Sequence, residues 1–96
     1  MILRICENGN EHIEPASAAR VDEVLAPAAP IADGTEITLA DGERWLTAMV
    51  VGPPGTSAEL LMSGADGDTA TVSGIAARSE ALRRFREFLA SAGSLR

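Results

Sequence analysis

From Thr35 to Gly74 the chain repeats one local pattern: a short run that favours extended backbone, then a turn containing glycine. Thr35 to Ala40 alternates, with Ile37 and Leu39 on one face and Glu36 and Thr38 on the other; Asp41-Gly42 then turns. Arg44 to Val51 is apolar on both faces, the pattern of a central strand covered on both sides. Gly52-Pro53-Pro54-Gly55 turns again, and Ser57 to Ser63 sets Leu60 and Met62 against Glu59 and Leu61. After Ala65-Asp66-Gly67, the Thr- and Val-rich segment Asp68 to Gly74 makes a fourth strand. Short strands joined by turns of this length predict an antiparallel meander.

The flanks add a hairpin and two helices. Met1 to Cys6 reads as an apolar strand; Asn8-Gly9 is a strong hairpin dipeptide, and Glu11 to Glu14, ended by Pro15, is the candidate return strand. Ser17 is placed to cap a helix from Ala18 to Ala26, which gathers Val21, Val24 and Leu25 on one face. Proline at positions 27 and 30 stops it, so Pro27 to Gly34 is a connection within the domain. A last helix is expected with Ser79 as its cap, Glu80 in its first turn, Leu82, Phe85, Phe88 and Leu89 as its apolar stripe, and Gly93 at its end. Glu80–Arg84 and Arg83–Glu87 are i,i+4 pairs on its surface. The expected fold class is α+β: a four-stranded meander, with the N-terminal hairpin as an optional extension, packed against a short N-terminal helix and a C-terminal amphipathic helix.

Ninety-six residues make one domain, residues 1–96, because a typical domain holds about 100–200. No apolar run reaches the roughly 20 residues of a membrane span, and Met1 to Glu7 lacks the basic and apolar regions of a signal peptide. A single cysteine excludes an internal disulfide and fits a cytoplasmic setting. All eight basic residues are arginine, and alanine is abundant, the usage of a GC-rich bacterial or phage genome.

Charge is unevenly spread. Residues 1–75 set three arginines against twelve carboxylates, a balance of −9, whereas residues 76–96 set five arginines against two carboxylates, a balance of +3. A field of the first sign repels phosphates and attracts basic surfaces.

Three motifs suggest chemistry, and each lacks something it needs. Gly52 to Ser57 opens like a phosphate-binding loop, but the chain has no lysine, and Glu59 would repel a phosphate. Cys6 and His12 are the only thiol and imidazole, and the hairpin would bring them near each other. Glu7 and Glu11 beside them disfavour a thiolate, and no oxyanion site accompanies them. Asp66-Gly67-Asp68 begins like a calcium loop but continues as the strand Thr69 to Val72 without the distant glutamate. No catalytic residue, metal-ligand set or cofactor is therefore expected. Arg83, Arg84 and Arg86 are interleaved with Glu80 and Glu87 and lack an aromatic platform, which argues against direct nucleic-acid contact.

What remains is a surface. In a meander the first and third turns lie at the same end, so Asp41 and Glu43 fall about 10 Å from Asp66 and Asp68. These four carboxylates form an acidic rim, which reads either as ordinary turn polarity that keeps the chain in solution or as a contact patch that would dock on a basic partner. Trp45, the only tryptophan, follows the first turn; it is expected in the core, with an exposed anchor beside the rim as the alternative.

Arg20 to Leu25, Trp45 to Val51 and Ser79 to Ala90, in the order helix, strand hairpins, amphipathic helix, resemble one family of immunity proteins from bacterial polymorphic toxin systems, the family that includes antidotes to deaminase toxins. The resemblance implies a cytoplasmic protein that binds its cognate toxin and blocks its active site without catalysis of its own. Two other functions fit the same residues: a phage-encoded inhibitor of a bacterial defence complex that mimics nucleic acid, and a structural module that pairs with a second copy.

Overall fold

The computed structural model describes residues 1–25, 34–50 and 59–94, with side chains through residue 91. The elements are β1 (Ile2–Glu7), β2 (Asn10–Pro15), α1 (Ala18–Leu25), β3 (Glu36–Asp41), β4 (Arg44–Val50), β5 (Glu59–Asp66), β6 (Thr69–Ala77) and α2 (Arg78–Ser94). All strands join one antiparallel sheet in the order β2-β1-β3-β4-β5-β6. The meander and its N-terminal hairpin are thus continuous, because β1 pairs with β3 and carries β2 outward.

Glycine sets the described hairpins. Asn8 and Gly9 both have positive φ (52° and 81°), the pairing that a type I′ turn needs and that Asn-Gly adopts at least cost. In the other two hairpins only the first turn residue is left-handed, Gly42 at 65° and Gly67 at 61°, as in a II′ turn. The Gly52 to Gly55 turn and the Pro27 to Asp33 connection lie outside the described residues.

Residues paired across an antiparallel ladder share a face of the sheet, so each face reads as rows. Leu3, Leu39, Leu46 and Gly64 make one row on the first face; Ile5, Ile37, Ala48 and Met62 make the next. Val50 and Leu60 continue it. Both helices lie over this face. Val21 and Leu25 of α1 and Ala81 and Phe85 of α2 are buried with the strand residues in a single core. The expected stripe of α2 is therefore centred on Ala81 and Phe85, with Leu82, Phe88 and Leu89 partly buried around them.

Ser17 caps α1 as its sequence requires, its hydroxyl accepting a hydrogen bond from the Arg20 amide (3.2 Å). Arg20 ties α1 to β2 by donating to Glu14 (2.9 Å), and its guanidinium holds the Glu14 carboxyl below the usual carboxylate range. Arg86 ties the helices together through Asp22 (2.8 Å).

Three local expectations need correction. Strand β6 runs past Gly74 to Ala77 and passes straight into α2 at Arg78, so Ser79 lies inside the first turn rather than at the cap. Gly93 likewise lies within α2, which continues to Ser94. Finally, β4 is paired on both edges but, among the described residues, is covered by helices on one face only. No described helix is long and apolar enough to cross a membrane.

Gly64 shows how closely β4, β5 and β6 meet. Its Cβ would stand 3.0 Å from the Trp45 carbonyl oxygen and 3.1 Å from both Leu46 Cδ1 and Thr71 Oγ1. The register slips by one residue just beyond it, between Gly64 and Ala65. Gly64→Val is expected to destabilise the fold by about 1–3 kcal/mol, because a backbone oxygen cannot move aside cheaply. Urea denaturation would read this as a lower midpoint; an unchanged midpoint would show that the bulge absorbs the side chain.

Candidate functional site

The β3–β4 and β5–β6 turns lie at the same end of the sheet and touch. The Gly67 amide donates to the Glu43 carbonyl (3.1 Å), so the turns approach more closely than two strand spacings would place them. Within this rim the carboxylates divide by parity. Asp41 opposes Arg44, and Arg44 opposes Asp66, which sets Asp41 and Asp66 on the helix side. Glu43 and Asp68 are exposed at the turn tips.

Arg44 sits between the two aspartates in register, yet its guanidinium turns to α2. Its Cζ lies 4.6 Å from the Phe88 ring centre, and Nη2 donates to Ser91 Oγ (3.3 Å). The neighbouring cleft, about 240 Å³, carries Asp66 and Glu87 opposite Arg44 and Arg84. That balance of charge favours neither an anion nor a cation.

The arginines that pair do so elsewhere. Arg4 holds Glu11; Arg20 holds Glu14 and Glu23; Arg83 and Arg84 hold Glu80; Arg83 also reaches Glu87; Arg86 holds Asp22. Arg83 first, and Arg84 after it, keep the Glu80 carboxyl below its usual range. Among the described residues, no ion pair involves Asp41, Glu43, Asp66 or Asp68. Asp41 and Asp66 thus have Arg44 beside them in register without an ion pair, whereas Glu43 and Asp68 at the tips have no described cation paired with them.

Trp45 is not in the core. Odd-numbered positions of β4's first half face away from the helices, and the indole is 37% exposed on the open face of the sheet. The same face holds the other large exposed apolar residues: Ile2, Ile13, Leu61 and Ile75, the last 63% exposed. Sequence reasoning missed this surface because Arg44 to Val51 is apolar on both faces, which reads equally as a doubly covered strand or as a strand with one sticky side.

The Cys6–His12 pair does not assemble. Cys6 opposes Glu11, whose carboxylate accepts from Sγ (3.9 Å), whereas His12 opposes Ile5 on the other face and meets Glu14 (3.2 Å). No group of three or more His, Cys, Asp or Glu side chains suited to a metal occurs among the described residues. The phosphate-loop candidate at Gly52 to Ser57 lies outside them.

Comparison with family models, with curated proteins and with solved structures finds no match to this chain.

Proposed function

We propose that this chain is a small acidic binding protein that neutralises a protein partner with a basic surface, in the manner of an immunity protein blocking its cognate toxin. On this reading it acts in the cytoplasm, catalyses nothing, and makes no direct contact with nucleic acid or membrane. The supporting observation is the rim: Asp41, Glu43, Asp66 and Asp68 are gathered by two touching turns, and no described arginine pairs with them, although arginines pair with carboxylates elsewhere on the surface. Uncompensated charge of one sign steers a partner of the other sign and costs the free protein some self-repulsion.

The expected result of affinity capture from an extract of the source organism is one dominant basic protein, whose retention falls steeply when salt is raised tenfold. A tenfold rise in salt shortens the screening length about threefold, from roughly 10 Å at 0.1 M to 3 Å at 1 M. Retention that ignores salt would remove the acidic rim from the mechanism.

A second reading has its own observation. Strand β6 is a nine-residue outer edge, TATVSGIAA, without a charge or a proline, whereas the opposite edge, β2, carries Glu11, Glu14 and Pro15. Unprotected edges invite strand pairing with a second copy. Sedimentation at high concentration separates the readings: a strict monomer rules out the structural module.

A further inference from the structure

The uncovered face of the sheet has a definite shape and charge, and both bear on what covers it. We propose that a basic amphipathic helix of the partner seats on this face, along β4 and β5, over Trp45, Met49, Leu61 and Ile75. The inference rests on the reading of the chain as a binder of a basic protein, and it names the structure and chemistry of the segment bound.

Alternation fixes the face. The row Ile2–Ala40–Trp45–Ala65 is followed by Arg4–Thr38–Thr47–Ser63–Ser73 and then by Cys6–Glu36–Met49–Leu61–Ile75. Apolar bulk therefore concentrates on β4, β5 and β6, as a lane that runs from Trp45 at one end to Met49, Leu61 and Ile75 at the other. Four residues of strand span about 13 Å, and two strand spacings about 10 Å. That is close to the footprint of an α-helix of two to three turns, about 10 Å wide. A groove of about 420 Å³ occupies the lane, bounded by Trp45, Met49 and Leu61, with Thr47 and Ser63 between them. Thr47 already pairs its hydroxyl with Thr38 (3.0 Å), so this part of the floor is satisfied within the fold.

A second sheet suits the lane poorly. It would need apolar residues across all six strands, but Arg4, Glu36 and Thr38 interrupt the face at β1 and β3. An added strand cannot lie along β4 and β5, which are each paired on both edges; one added at the outer edge of β6 would extend the sheet and leave the lane uncovered.

The charge selects among helices. Glu43 and Asp68 stand at the Trp45 end, and Glu36 and Glu59 stand beside Met49 and Leu61 at the other. The one described cation on the face, Arg4, is held by Glu11 at 2.6 Å. A helix with lysine or arginine at both ends of its apolar stripe meets carboxylates at both ends of the lane. A second copy of this chain does not. With its strands aligned in either sense, a two-fold partner brings one acidic end over another.

The test uses a synthetic 15-residue helix of leucine and lysine with a single apolar stripe, titrated into the intact chain. Trp45 is the only tryptophan, so its emission reports the lane directly. Binding with a blue shift is expected. A scrambled peptide of equal composition, and the counterpart with glutamate for lysine, should each bind at least tenfold more weakly. Leu61→Asp and Ile75→Asp, both at exposed positions, should each weaken binding tenfold or more while the circular dichroism spectrum stays native. Each adds a carboxylate, so equal or tighter binding by these variants would mean attraction by charge alone and would overturn the proposal. Dimerisation of the free chain that Leu61→Asp abolishes would also overturn it, in favour of a second copy. If a captured basic partner survives Leu61→Asp but is lost on reversing Glu43 and Asp68, the binding reading stands and the face falls.

Discussion

Replacing Phe85 with alanine is expected to remove about 3–5 kcal/mol of stability, the range for emptying a phenylalanine site in a core. Phe85 is the largest of the fully buried side chains, comes from the middle of α2, and belongs to the one core that the sheet and α1 also supply. A domain of this length holds roughly 5–15 kcal/mol in total, so the variant should stand near the edge of folding at room temperature. Urea denaturation followed by circular dichroism measures it; the midpoint should fall sharply with little change in slope. Phe88 provides the internal contrast. It is only partly buried and carries the Arg44 guanidinium on its ring. Phe88→Ala should cost about 1–2 kcal/mol, from partial burial and a cation–π contact together. If the two losses came out equal, the stripe of α2 would be centred elsewhere than on Ala81 and Phe85.

That contrast marks how far the sequence could be read. Spacing placed Leu82, Phe85, Phe88 and Leu89 on one face, but a stripe has no centre until something packs against it. Turns were legible because their dihedral demands leave few residue types: Asn8-Gly9, Gly42 and Gly67 all occupy the left-handed region that their sequences favour. The end of β6 was not, because Gly74, at φ 125°, stays paired with Met62 and the strand runs on past it. The junction of β1 with β3 joins segments that α1 separates in the chain, a pairing that local patterns do not encode. Of the candidate site, the rim followed from meander geometry alone. Parity within it did not: Asp41 and Asp66 share a side with Arg44, whereas Trp45 faces away. The hidden quantity was which side of β4 the helices leave open, and apolar residues on both sides of a strand cannot report that.

Parity also changes which carboxylates should matter most to a partner. Asp41 and Asp66 flank Arg44, so placing lysine there would crowd three cations on the helix side and confuse recognition with folding. Glu43 and Asp68 are exposed at the tips and have no ion-pair partner among the described residues, so they can be reversed with little structural consequence. Reversing both, Glu43→Lys with Asp68→Lys, changes the local charge by four units in a chain of formal net charge −6. Electrostatic steering accelerates association by roughly 10- to 1,000-fold, and most of that gain should vanish with the tip charges. The expected result is a fall of tenfold or more in the association rate with the captured basic partner at low salt, and a much smaller change in the dissociation rate. In high salt the wild type and the double variant should converge, because the screening length drops below the distance over which the tips act. Stopped-flow mixing at two salt concentrations reads all of this. An association rate that ignores the reversal would mean that the rim only keeps the chain in solution, and recognition would then rest on the apolar lane.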